Sequence, residues 1–408
     1  MSAASRSAAI PLLAIVIAGC LIAAVTNGIR TSFGLFTLPM AGDLGISREG
    51  WGMAMAIQNL AWGIAQPFAG AVADRYGTAR VVAGGILLYA AGVALMALSP
   101  DAGMLTLTAG IVVGVAISVS SFSIVMAAFG RSVPAEKRSL YFGIATAASS
   151  FGQFLFAPLG QGFITAYGWQ QALFLFAFIL LALLPLSYAL RGTAARSVAD
   201  VDLGFLGALR SAWRFSSYRL LVIGFFVCGF HIAFINVHMP AYLVQCGLSP
   251  ETGSWTIAVI GLFNIVGSLS AGYLGGRLPK QMMLATIYFT RAVAIALFVF
   301  LPVSELTAYV FAAVIGLLWL STVPLTAGLV SLFFGPRYMG LLYGIAFFSH
   351  QLGSFMGVWL GGFVFDQTGS YNLVWYLGIL LGLGSAALHL PIRERKDEGF
   401  GAALPRPA

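Results

Sequence analysis

Long apolar runs, separated by short polar, glycine- or proline-bearing segments, dominate this chain. Twelve of them read as membrane-crossing helices: 10–38, 48–73, 79–98, 103–129, 140–165, 169–190, 219–243, 253–275, 281–301, 306–334, 340–364 and 372–391. A bilayer-crossing helix needs about 20 mostly apolar residues. Strands of a membrane barrel would alternate in segments of about 10 residues, which is a different pattern. The longest polar interruption, 191–218, reads as a cytoplasmic linker, and its apolar patch Leu203–Leu206 suggests a short surface helix. It separates an N-terminal six-helix bundle (1–190) from a C-terminal six-helix bundle with a cytoplasmic tail (219–408). The predicted fold is an all-α membrane protein of twelve transmembrane helices in two pseudo-symmetric bundles. Only Arg6 precedes the first run, which continues past a signal-peptide core without a clear small-residue cleavage site, so it reads as a span.

The two halves carry a repeat. At an offset of 201, NGIRTSFGLFTLP (27–39) falls on CGFHIAFINVHMP (228–240), so that Gly28 meets Gly229, Phe33 meets Phe234 and Pro39 meets Pro240. The same offset pairs Gly143-Ile144-Ala145 with Gly344-Ile345-Ala346, Gly152 with Gly353, Gly160 with Gly361 and Gly168 with Gly369. A constant offset over most of the chain is the mark of duplication. Because each half has an even number of spans, both insert the same way round, as in parallel-repeat transporters.

Composition narrows the class. Of 408 residues, 60% are hydrophobic and 8% charged, too little charge to cover a water-facing surface. Soluble enzymes, disordered chains and disulfide scaffolds are excluded. Cys20, Cys228 and Cys246 lie in apolar surroundings without CxxC spacing, so no disulfide framework, metal site or other cofactor is expected. Eighteen of the 21 basic residues fall on the side of the membrane that holds both termini. Arg48 alone lies on the opposite side, and Arg30 and Arg291 lie inside spans. This asymmetry predicts both termini in the cytoplasm. The net charge of +8 is therefore a topology signal and not a nucleic-acid footprint.

The loop GAVADRYGTAR (70–80) resembles the cytoplasmic signature of the major facilitator superfamily, with Gly70, Asp74, Arg75, Gly77 and Arg80 in register. Its second copy, GYLGGRLPK (272–280), keeps Gly272, Arg277 and Lys280 but has Gly276 in place of the acid. In such a loop, an acid and an arginine can form charge-assisted hydrogen bonds that lock neighbouring helices in one state. Gly70, Asp74, Arg75, Gly77 and Arg277 are thus the candidate gating set. KRSLYFGIATAASSFG (137–152) is similar to the helix-five signature of the monocarboxylate porters at Arg138, Leu140, Gly143, Ala145, Ala147, Ser149 and Gly152. The porters' acidic helix-one signature is missing, and Asn264 and Ser268 stand where their helix eight has a polar residue and an arginine. The resemblance implies a bacterial inner-membrane carrier, a monomer, near the monocarboxylate and oxalate–formate branch.

An ionisable group inside the hydrocarbon costs about 2.5–3.5 kcal/mol, so each is a functional hypothesis. They are Arg30, Arg291, His231, His238 and His350, while all 13 acids fall in loops or at predicted helix ends. Two buried guanidiniums without a protein counter-ion point to an anionic substrate, since arginine suits a carboxylate by its bidentate geometry. Arg30, whose repeat partner is His231, is the candidate clamp, against outward snorkelling or carbonyl binding. Arg291 either joins it or bridges helices. His350, whose repeat partner is Ser149, could carry a coupled proton. Asn27, Gln58, Asn59, Gln66, Asn236, Asn264 and Gln351 complete the candidate substrate-binding set, each also able to serve as a helix–helix hydrogen bond.

The expected function is secondary active transport of a small organic anion, a monocarboxylate, by proton coupling or anion exchange. The alternative is efflux of another solute class such as amphipathic drugs, which the missing intramembrane acid disfavours. An intramembrane enzyme lacks a facing nucleophile and base, and no phosphate-cradling GxxxxGK[ST] motif supports ATP-driven pumping.

Overall fold

The computed structural model describes residues 11–120, 122–133, 137–191, 204–397 and 400. Helices account for the core, and no strand occurs among the described residues. In the first half, α1 spans Leu12–Leu44, α2 Arg48–Tyr76 and α3 Thr78–Ala97. α4 is assembled from Ala102–Leu105, a wide π turn Thr106–Val112, Val113–Ser120 and Phe122–Ser132. α5 is Arg138–Tyr167 and α6 is Trp169–Leu190. In the second half, α7 is Ser216–Gln245, α8 Pro250–Leu274, α9 Lys280–Phe300, α10 Glu305–Phe334, α11 Pro336–Thr368 and α12 Asn372–His389. A surface helix, Gly204–Arg214, buries Ala208, Ser211 and Ala212 and exposes Arg210, Trp213 and Arg214.

Ten of these helices are long and apolar enough to cross a membrane. The other two, α2 and α11, have the length, at 29 and 33 residues. Their apolar character is diluted by Gln58, Asn59 and Gln66 and by Ser349, His350 and Gln351. These two pack along each other across the boundary between the halves, as do α5 and α8. Since α2 corresponds to α8 and α5 to α11 in the repeat, the two seams are equivalent. The end where α1 begins and α12 finishes is called the near end below, and the opposite end the far end.

Within each half the repeat fixes one close crossing. A Cβ added to Gly152 on α5 would overlap the backbone of Ala24 on α1, and one on Gly353 of α11 would overlap Phe226 on α7. Small residues allow helix backbones this approach, and packing replaces the hydrophobic drive that lipid cannot supply.

Interruptions in α1 and α10 bear on the site. In α1, a 3-10 turn at Phe33–Phe36 is flanked by hydroxyl-to-backbone hydrogen bonds from Thr31 and Ser32 to the Gly28 carbonyl and from Thr37 to the Gly34 carbonyl. Such back-bonding bends helices. The bend carries Gly34 against the backbone of Asn236 and Val237 on α7. α10 breaks between Leu318 and Thr322, where Pro324 offers no N–H to the Leu320 carbonyl one turn earlier.

Gly353→Ala is expected to force α7 and α11 apart and to lower thermal stability in detergent by about 1–3 kcal/mol. Gly340→Ala, whose added methyl would meet nothing within 4 Å, should leave the melting temperature unchanged or raised.

Candidate functional site

Halfway along the bundle, a chain of hydrogen bonds crosses from one half to the other. Arg30 on α1 donates from Nη2 to Asn59 Oδ1 at 2.9 Å. Asn59 is buried on α2, and its backbone carbonyl accepts from Gln351 Nε2 on α11 at 3.1 Å. Gln351 Oε1 faces His350 Nδ1 at 3.0 Å. Because that oxygen only accepts, Nδ1 carries the proton and His350 donates. Arg30 also lies over the Trp62 ring, with Cζ 4.6 Å from its centroid. Trp62 donates to Gln66 Oε1 at 2.8 Å and meets Phe347 of α11 edge-on, at a centroid distance of 5.3 Å. Asn59, Trp62 and Gln66 share one face of α2 because their spacings match the helical repeat.

Arg30 keeps part of its surface open, its Nε is buried without a partner, and no carboxylate lies within ion-pair distance of it among the described residues. Buried charges are ordinarily paired. Among the described residues this guanidinium has only an amide oxygen and an aromatic face.

The second seam is also polar. Asn264 on α8 donates to Ser150 Oγ on α5 at 2.9 Å, and Gln153 on α5 donates to the Ile257 carbonyl on α8 at 3.3 Å. Ser149 stands one residue away from this contact, and its carbonyl accepts from Asn27 on α1. Asn27 and Ser149 therefore tie α1 to α5 inside the first half.

Four residues singled out in the sequence turn elsewhere. Arg291 is buried within the second half, where Nη2 donates to the carbonyls of Leu318 and Trp319 and Nη1 lies 3.4 Å from Cys228 Sγ. The Leu320 N–H donates to Asn264 Oδ1 at 3.0 Å. Arg291 and Asn264 together satisfy the backbone that the α10 break exposes, which is the condition for non-helical backbone at membrane depth. Arg291 thus bridges helices and does not join Arg30. His231 does not sit opposite Arg30 either, since its Nε2 pairs with the Gly378 carbonyl on α12 at 2.8 Å. Gln58 donates to the Ala109 carbonyl in the π turn of α4 at 2.8 Å, so it faces away from the seam. His238 pairs with the Val358 carbonyl.

At the far end the halves are tightly joined. Asp366 of α11 accepts from the backbone N–H groups of Arg48 and Glu49, at 3.2 and 2.7 Å. A carboxylate from one half thereby caps the first turn of a helix in the other, where the helix dipole favours negative charge. Arg48 donates to Tyr371 Oη at 2.7 Å and lies 3.8 Å from the Phe365 ring centroid. Glu49 accepts from Trp359 at 3.3 Å. Asn236 lies where the α7 backbone meets Gly34 of α1, with its side-chain oxygen buried and unpartnered. At the near end, methyls added to Gly70, Gly272 or Gly344 would meet nothing within 4 Å. Arg75 lies over Tyr76 and Arg277 over Tyr273, each on its own helix or loop neighbour. Gly77 adopts φ +90° at the turn into α3. The Asp74 side chain, and with it the expected lock with Arg75, lies outside what the structure describes.

The pattern of residues pointed to polar centres on α2 and α11 but missed Trp62, Phe347, Ser150, Gln153 and Asp366. The helical spacing of Trp62 between Asn59 and Gln66 was the available signal.

Twelve long helices among the described residues, ten of them apolar enough to cross a membrane, form two equivalent halves that meet along polar seams, the architecture of a multi-pass membrane transporter. The chain belongs to the Major Facilitator Superfamily, whose family model matches residues 15–358. It is similar to the uncharacterized MFS-type transporter YcxA of Bacillus subtilis (strain 168), 27% identical over 387 residues that cover 91% of this chain and 92% of that protein. It is also similar to Monocarboxylate transporter 13 of Rattus norvegicus, 25% identical over 374 residues covering 90% and 85%. A solved bacterial homolog of the human lysosomal transporter Spinster, inward-facing and unoccupied, matches with a TM-score of 0.72 at 13% identity, over 92% of this chain and 95% of that one. That likeness shows the fold alone.

Arg291→Ala should leave two α10 carbonyls unpaired and lower thermal stability on the order of 1–3 kcal/mol. Thermal melts of the purified variant check this. Asp366→Ala should loosen the far end. Spin labels placed at Gly42 and Gly247 are expected to show a longer or broader distance distribution by pulsed electron resonance than in the parent chain.

Proposed function

We propose that this transporter moves a small organic anion, a monocarboxylate, with Arg30 as the group that binds its carboxylate. The observation that carries this reading is the Arg30 guanidinium at the seam, on a side chain that keeps part of its surface open, hydrogen-bonded to Asn59 and without an acidic partner among the described residues. A substrate carboxylate would supply the missing negative charge through in-plane hydrogen bonds to the guanidinium. Arg291 is already engaged with carbonyls, so Arg30 is the single cation at this depth of the seam among the described residues, which suits a monoanion better than a dianion. The name of the similar rat protein, a monocarboxylate transporter, agrees with this class.

The two halves would rock about Arg30 and Asn59 to expose the site to one side and then the other. With both termini cytoplasmic, as the basic residues imply, the joined far end would face outward. Opening outward would break the Asp366 cap and the Arg48–Tyr371 bond. His350 is the titratable side chain hydrogen-bonded into the seam, and it would carry the proton if transport is proton-coupled. Exchange of one anion for another needs no such group.

The test is uptake of labelled carboxylates into proteoliposomes with and without an imposed pH gradient. Arg30→Ala should reduce carboxylate binding by about tenfold or more, the loss of roughly one charge-assisted hydrogen-bonded pair, with the melting temperature retained. Unchanged carboxylate binding in Arg30→Ala, or selective transport of a cationic or neutral solute, would contradict the assignment.

A further inference from the structure

The anion reading leaves open what the carboxylate is attached to, and the surroundings of Arg30 bear on it. The guanidinium carbon lies over Trp62, 4.6 Å from the ring centroid, so a carboxylate paired with Arg30 would lie beside the indole. Trp62 meets Phe347 of the other half at 5.3 Å and an interplanar angle of 72°. Phe347 in turn stacks on His350 at 5.8 Å and 8°, and His350 lies 5.0 Å from Phe225. Aromatic side chains from both halves thus continue from the cation along the seam. Trp62, Phe347 and Phe348 all keep part of their surface open. No second cation accompanies Arg30 at this point among the described residues, since Arg291 is buried against α10.

Resting on the assignment of Arg30 as the carboxylate group, we propose that the site selects monocarboxylates bearing a flat apolar group, of the aryl carboxylate class, over small hydroxy acids and dicarboxylates. The aryl plane would stack against Trp62 and be bordered by Phe347. Offset and edge-on aromatic contacts are favourable beyond simple burial. A hydroxyl or a second carboxylate placed there would lose its hydration without a partner. Because Trp62 and Phe347 belong to opposite halves, the same substituent would touch both sides of the moving seam.

The experiment is equilibrium binding of labelled benzoate to the purified full chain in nanodiscs, with lactate and phthalate as competitors. Benzoate is expected to bind about tenfold more tightly than lactate, and phthalate to compete weakly. Trp62→Ala and Phe347→Leu should each weaken benzoate more than lactate and narrow that ratio, while Trp62→Phe retains most of it. Thermal melts identify any variant that fails to fold, and the remaining two then decide. Equal binding of benzoate and lactate by the parent chain, or an equal loss of both in the folded variants, overturns the aryl preference while leaving the carboxylate site standing. Absence of any carboxylate binding, or benzoate binding that survives Arg30→Ala, overturns the underlying assignment itself.

Discussion

Hydrocarbon does not tolerate an unpartnered charge, and that constraint organises this protein. Two guanidiniums lie inside spans, and the structure treats them differently. Arg291 is surrounded by the carbonyls of a broken helix and a thiol, so its charge is taken up by the protein. Arg30 has an amide oxygen, an indole face and an unpartnered Nε. The first holds α10 in its interrupted form. The second is held in place at the seam while its electrostatic requirement stays unmet, which is the condition a binding group needs.

The repeat supplies the mechanics, and its departures supply the chemistry. Gly152 and Gly353 make the same crossing in each half, and Gly168 and Gly369 end equivalent helices with positive φ. The seams α2–α11 and α5–α8 are repeat equivalents, so two similar bodies meet across similar surfaces. The occupants of equivalent positions differ. Arg30 answers to His231, which bonds to α12, and Ser149 answers to His350, which bonds into the seam. Symmetric framing with asymmetric polar groups gives rocking bodies a site of one defined polarity.

Much of this was legible in the residue pattern. The spans, their boundaries to within a few residues, the duplication and the polar character of α2 and α11 all follow from hydropathy and spacing, which depend on local composition. The facing of individual polar groups does not. Neighbouring residues on a helix point about 100° apart. That is why Gln58 reaches α4 while Asn59 reaches Arg30, and why Ser150 meets Asn264 while Ser149 does not. The role of Arg291 depends on a break in a different helix, for which Pro324 was the one local sign. Asp366 was visible as an acid at a helix end. Its use as a cap for α2 depends on how two halves dock, which no local pattern encodes.

The central claim is that Arg30 and a substrate carboxylate form a direct pair. Solid-state NMR distance measurement between 15N-labelled arginine side chains and a 13C-carboxyl-labelled monocarboxylate, in reconstituted protein, addresses it without relying on transport rates. The account predicts a guanidinium nitrogen within about 4 Å of the carboxyl carbon, the separation a bidentate pair imposes, and loss of that signal in Arg30→Lys. A bound carboxylate showing no dephasing by arginine nitrogen, or one whose signal persists in Arg30→Lys, would contradict it.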